Sequence, residues 1–124
     1  ALYMASEKPM FNDQLQKAQS DLNVSMKKTP TFEAALISAR VNRNLNTSTS
    51  LVDMEKDYES FVNLLTEKGF DNEPMFKDAL VEAYTMIGNY NVDKNKSKAV
   101  NFFNKVLNLD SGNAYARRQV QNLK

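Results

Sequence analysis

The stretch that decides the fold runs from Glu82 to Asn113 and reads EAYTMIGNYNVDKNKSKAVNFFNKVLNLDSGN. Its large apolar residues do not alternate, as those of a half-buried strand would. Tyr84 and Ile87 lie three apart, Ala99 and Phe103 four, Phe103 and Val106 three. Such spacings put each set on one face of an α-helix. Between the two sets lies a polar break, Asp93-Lys94-Asn95-Lys96-Ser97, and Ser111-Gly112 closes the second. The spacing therefore predicts two helices joined by a short turn, which makes them antiparallel neighbours.

Outward from this pair the same period repeats. Downstream, a short last helix carries Ala116, Val120 and Leu123 on one side and Arg117, Gln121 and Lys124 on the other. Upstream, Glu73-Pro74 is predicted to open the first helix of the pair, with Phe76, Leu80, Ala83, Tyr84 and Ile87 inward. Before it runs a stripe of Leu51, Met54, Tyr58, Phe61, Val62 and Leu65, stopped by Gly69, since glycine accepts the left-handed conformation that ends helices. Thr47-Ser48-Thr49-Ser50 reads as a polar hinge with no core residue, and Ser50 with Asp53 as a capping pair. A further stripe of Phe32, Ala35, Leu36 and Ala39 fades by Leu45. The first runs Phe11, Leu15, Ala18, Leu22 and Ser25 and ends at Thr29-Pro30. Six helical segments and no credible strand predict an all-α fold.

Composition agrees and narrows the function. Hydrophobic residues are 42% and charged residues 25% of 124, so one elongated core is within reach. Three glycines and three prolines are too few for the turns of an all-β chain. Sixteen basic and fifteen acidic residues are mixed along the chain, for a net charge of +1. A nucleic-acid partner calls for a gathered basic excess, and none is present. No apolar run is long enough to span a bilayer, so membrane insertion is not expected. The chain has no cysteine and no histidine, which removes thiolate chemistry and the commonest general base and metal ligand. Nothing in it calls for a cofactor. The opening residues Ala1-Leu2-Tyr3-Met4-Ala5 read like the middle of a helix, and the chain is expected to be the end of a longer protein.

The Glu82–Asn113 stretch resembles one tetratricopeptide repeat, a helix–turn–helix unit of about 34 residues. Tyr84 sits at the family's first large aromatic, Ile87-Gly88 at its apolar–glycine pair, Ala99 at the small residue early in the second helix. Phe103 and Val106 match the aromatic and the small residue that follow, and Leu109-Asp110-Ser111-Gly112-Asn113 the closing turn, with Ser111 in place of proline. A weaker echo lies upstream, where Ala18, Leu22, Ser25 and Pro30 have the spacing of a second helix and its closing proline. The resemblance implies an antiparallel helix-pair solenoid of about two and a half repeats with a capping helix. It divides the single domain 1–124 into a partial repeat 1–30, a divergent repeat 31–70, a last repeat 73–112 and a cap 113–124. The order of features is similar to the carboxyl-terminal segment of a bacterial protein of this family. Ala39-Arg40-Val41-Asn42-Arg43-Asn44-Leu45 with its extended joint resembles the close of exported envelope repeat proteins, which implies a periplasmic or cell-envelope location over a cytoplasmic one.

Candidate chemistry is sparse. Carboxylates cluster at Glu55, Asp57 and Glu59 and at Asp71 and Glu73, but they alternate with lysines and read as solvated helix faces. Asn46-Thr47-Ser48 fits a glycosylation sequon. Met4, Met26, Met54 and Met86 fall on or beside the stripes and read as core filling. In the tetratricopeptide family, first helices line a concave groove whose polar residues grip an extended peptide. Carried onto this chain, the resemblance points Arg40, Asn44, Glu82, Thr85, Asn89 and Arg118 into such a groove. Their amides and guanidinium groups suit a peptide backbone or carboxylate. The family's lysine–asparagine clamp is matched only at Asn89, and Glu82 would repel an acidic peptide.

The implied function is protein–protein interaction, a scaffold or adaptor that holds a partner protein or peptide in the groove and catalyses nothing. The alternative is a structural end-piece that caps a longer array. A second copy of the chain is also an expected partner, through an apolar edge at Leu2, Tyr3 and Met4. The repeat reading puts Phe103 at the centre of the last helix pair. Phe103→Ala is expected to cost about 3–5 kcal/mol in urea unfolding followed by circular dichroism. An unchanged midpoint would contradict that packing.

Overall fold

The structure, a computed structural model, describes residues 31–124 together with Lys17. The stripe from Phe11 to Ser25, the stop at Thr29-Pro30, the partial repeat 1–30 and the apolar edge at Leu2, Tyr3 and Met4 lie outside the described residues. Five α-helices and no strand are present among those described: α1 Phe32–Leu45, α2 Ser48–Glu67, α3 Lys77–Asn91, α4 Lys96–Leu109 and α5 Ala114–Leu123. The predicted all-α class holds.

Four of the five helices begin where a side chain satisfies an exposed amide, and α3 has no side-chain cap. Thr31 caps α1 by accepting from the Ala34 amide at 3.1 Å. Asn95 does the same for α4 through Lys98, and Asn113 for α5 through Ala116. Asn46 ends α1 in the left-handed conformation, φ 54°, a region asparagine tolerates better than most residues. Gly69 ends α2 at φ 73°. There the Phe70 amide reaches back to the Leu65 carbonyl at 3.1 Å and the Gly69 amide to Thr66 at 2.9 Å. That pair of bonds is the Schellman motif.

Two predicted boundaries change. The hinge over Thr47–Ser50 shrinks to Asn46-Thr47, because α2 begins at Ser48. The capping pair is Thr47 with Ser50, not Ser50 with Asp53. The Ser50 amide donates to Thr47 Oγ1 at 3.0 Å and the Thr47 amide to Ser50 Oγ at 2.8 Å. This is a reciprocal capping box with a serine in the glutamate's place. Ser50 is buried as a result. The helix predicted from Glu73-Pro74 starts later: Pro74–Phe76 forms a 3₁₀ turn and α3 proper begins at Lys77.

The described residues fall into two compact units that divide inside α2, between Asp57 and Tyr58. In the first, Phe32, Ala35, Ala39 and Val41 are buried, as is Met54 of α2. In the second, Tyr58, Phe61 and Leu65 of α2 and Leu80, Ala83 and Ile87 of α3 are almost wholly removed from water. Helices α3 and α4 pack along their lengths, and α5 packs on α4. They run antiparallel. Gly88 meets Phe103, while the earlier Tyr84 meets the later Lys105. Ala99, Phe103, Val106 and Ala116 form a buried cluster, flanked by half-buried Val81, Tyr84, Val92, Leu107, Val120 and Leu123.

Gly88 is the point of closest approach. A Cβ there would stand 2.9 Å from Cε1 and Cζ of the Phe103 ring, well inside van der Waals contact. The Tyr84 ring lies 5.9 Å from that of Phe102, and Tyr115 meets Phe103 edge-on at 6.0 Å, both within the range of favourable aromatic pairs.

The caps give a direct test. Asn95→Ala and Asn113→Ala are each expected to cost about 1 kcal/mol in urea unfolding. A loss near zero for both would show that these side chains do not hold the helix starts.

Candidate functional site

The six residues expected in the groove divide between the two units. Arg40 and Asn44 belong to the first, four residues apart on α1 and both exposed. Glu82, Thr85, Asn89 and Arg118 belong to the second.

In the second unit, Glu82, Thr85 and Asn89 follow the i, i+3, i+7 spacing along α3 and share one side of it. That side is turned away from the face that buries Leu80, Ala83 and Ile87. Asn89 is exposed, while Glu82 and Thr85 are half-buried. Each end of the row is held by a tyrosine from another helix. At one end the hydroxyl of Tyr58, itself fully buried, donates to Glu82 Oε2 at 2.8 Å. At the other, Tyr115 of α5 donates to Asn89 Oδ1. Arg118 stands one turn beyond Tyr115 on the same side of α5 and is exposed. The structure thus draws Asn89 and the α5 face bearing Arg118 together through Tyr115. Nothing in the sequence alone marked Tyr58 and Tyr115 as the holders of this row, because their partners are 24 and 26 residues away.

A small cleft of about 280 Å³ opens beside Glu59, Val62, Asn63, Ile87 and Phe102. Its carboxylate is already engaged, since Glu59 pairs with Lys98 at 3.0 Å.

In the first unit the solvated-face reading of the acidic cluster fails at Asp57. Its Oδ2 accepts from the Ser38 hydroxyl at 2.6 Å and from Asn42 Nδ2 at 2.8 Å. Ser38 and Asn42 are wholly buried on the inner face of α1. A buried hydroxyl and amide need an acceptor, and Asp57 supplies it. Burial pushes the Asp57 carboxyl up from its ordinary 3.8, Ser38 and Asn42 pull it back in part, and Asp53 adds to the rise. The signal was available in the sequence: Ser38 and Asn42 lie four apart beside Ala35 and Ala39, polar residues on an apolar stripe. Among the described residues no group of three or more acidic side chains is placed to hold a metal ion. No helix of the described residues is long and apolar enough to cross a membrane.

No protein-family model matches the chain, and neither a curated protein nor a solved structure matches it significantly.

Because its folded-state carboxyl is raised, Asp57 favours the fold most when protonated, below about pH 3.8. That contribution is lost as pH rises through the raised value. Asp57→Asn keeps an acceptor for both donors and has no charge to desolvate. It is expected to be at least as stable as the wild type at pH 7, with the gap closing below pH 3.8. Asp57→Ala, which removes the acceptor of the buried Ser38 hydroxyl, is expected to cost about 1–3 kcal/mol. Denaturant titrations at the two pH values check both, and a marked loss in Asp57→Asn at pH 7 would contradict the balance.

Proposed function

We propose that the chain is a protein-interaction module of the tetratricopeptide kind, holding an extended segment of a partner protein along the polar row of α3 and α5. The observation that carries this reading is the Tyr115–Asn89 bond. It joins Glu82, Thr85 and Asn89 to the face of α5 that bears Arg118, on the side of α3 away from its core. Such a surface offers an amide, a hydroxyl and a guanidinium at helical intervals, donors and acceptors that match a peptide backbone. The close approach of Gly88 to Phe103 supports the helix-pair geometry on which the family reading rests. Arg40 and Asn44 enter the proposal as a second polar pair on α1. With neither histidine nor cysteine in the chain, the reading gives it no catalytic role.

A structural end-piece remains the second reading, and α5 favours it. Of its residues only Ala116 is fully buried, while Arg117, Arg118, Gln121 and Asn122 face water, as the outer face of a capping helix must.

Selection of a random peptide library on the immobilised full chain separates the two. The module reading expects enriched peptides whose affinity falls at least about ten-fold in an Asn89→Ala/Arg118→Ala variant, the equivalent of about 1.4 kcal/mol. The melting temperature should change little, since both side chains are exposed and the one hydrogen bond lost, from Tyr115, is itself exposed. An Arg40→Ala/Asn44→Ala variant shows whether α1 contributes. No enrichment, or enrichment indifferent to both variants, would leave the end-piece.

A further inference from the structure

The joint between α2 and α3 places apolar groups in water in a fixed arrangement. Met75 is 79% exposed and Phe70 37%, the former the most exposed large apolar side chain among the described residues. Phe70 and the half-buried Phe76 stack nearly parallel, ring centres 5.7 Å apart. The backbone holds them there. Phe70 donates to Leu65 across the Schellman turn, Glu73 to the Phe70 carbonyl at 3.0 Å, and Phe76 to Glu73 at 3.0 Å. Pro74 opens the 3₁₀ turn and fixes one backbone angle of it. The surface is therefore ordered before anything binds, which lowers the entropy cost of docking.

The surrounding charge is lopsided. From Glu67 to Asp78 the chain carries four carboxylates, Glu67, Asp71, Glu73 and Asp78, against two lysines, Lys68 and Lys77. The chain as a whole is slightly basic, at +1, so the acidity is local. Glu67, Glu73 and Asp78 enter no ion pair or side-chain hydrogen bond among the described residues. Unspent negative charge around an apolar centre attracts cations and repels an anionic lipid surface.

We infer that Phe70, Met75 and Phe76 form a docking surface for a segment of a partner protein that combines apolar side chains with lysine or arginine. The stacked rings supply a rigid apolar floor, and the unbranched thioether of Met75 adapts to the side chain laid on it. The carboxylates pair with the flanking cations and set the orientation. A small patch of this kind supports a weak, reversible contact. It lies before the first turn of α3, roughly 20 Å along that helix from Asn89, and stands or falls independently of the peptide row.

The test uses the full ¹⁵N-labelled chain and a synthetic amphipathic peptide of leucine and lysine, with a leucine–glutamate peptide of matched length as control. The leucine–lysine peptide is expected to shift amides from 67 to 79 and to bind about ten-fold more weakly to Met75→Ser and to Glu73→Lys/Asp78→Lys. Raised salt should weaken it further. All three positions are exposed, so the variants are expected to melt with the wild type. Equal binding of the leucine–glutamate peptide would overturn the inference, as would shifts centred elsewhere or an affinity unmoved by the variants. Binding to anionic lipid vesicles through the same residues, or self-association of the chain lost in Met75→Ser, would overturn it in favour of another occupant.

Discussion

The second unit depends on the absence of one carbon atom. With glycine at position 88, the Phe103 ring lies against the α3 backbone where a Cβ would overlap it at 2.9 Å. That approach lets α3 and α4 close on each other. It leaves Phe103, Ala99 and Val106 fully buried and gives α5 a cluster on which Ala116 can seat. Interiors pack to crystal density, so a gap of a methyl's width here would propagate to every contact that α4 mediates. The position of α5, and with it the reach of Tyr115 to Asn89, follows from this single contact.

Polar residues then refine what the apolar contacts begin. In the first unit Ser38 and Asn42 commit α1 to the register that presents them to Asp57; any other rotation would strand buried donors. In the second, Tyr58 buries its ring and offers its hydroxyl to Glu82, so that a core residue also fixes a surface carboxylate. Tyr115 does the corresponding work at Asn89. Side chains with an apolar body and a polar tip suit this task. They tie the proposed binding row to the packed interior, which favours a surface of defined geometry over a loose polar face.

How much of this the sequence disclosed depends on the range of the interaction. The helices of the described residues were legible, because the three-and-four spacing of residues such as Leu80, Ala83 and Ile87 is local. So was the stop at Gly69. The start of α2 was misread, since serine serves equally as hinge residue and capping partner, and only the Thr47–Ser50 geometry decides between them. Pro74 correctly marked a beginning, but a 3₁₀ turn and an α-helix begin alike. Asp57 was taken for a surface charge because its neighbours in sequence, Lys56 and Glu55, are polar; its partners are 15 and 19 residues away. The tyrosines that hold the polar row of α3 were invisible for the same reason. The exposed Met75 was passed over when four other methionines fell on helical stripes.

A double-mutant cycle on Gly88 and Phe103 tests the central claim most directly. Gly88→Ala, Phe103→Leu and the pair together would be unfolded in urea at 25 °C. If the ring excludes a Cβ at position 88, the alanine costs about 1–3 kcal/mol against phenylalanine, as overpacking does. It should cost much less against the smaller leucine, so that the two changes are strongly non-additive. Equal cost of Gly88→Ala in both backgrounds would mean that the close approach does not hold the helix pair together.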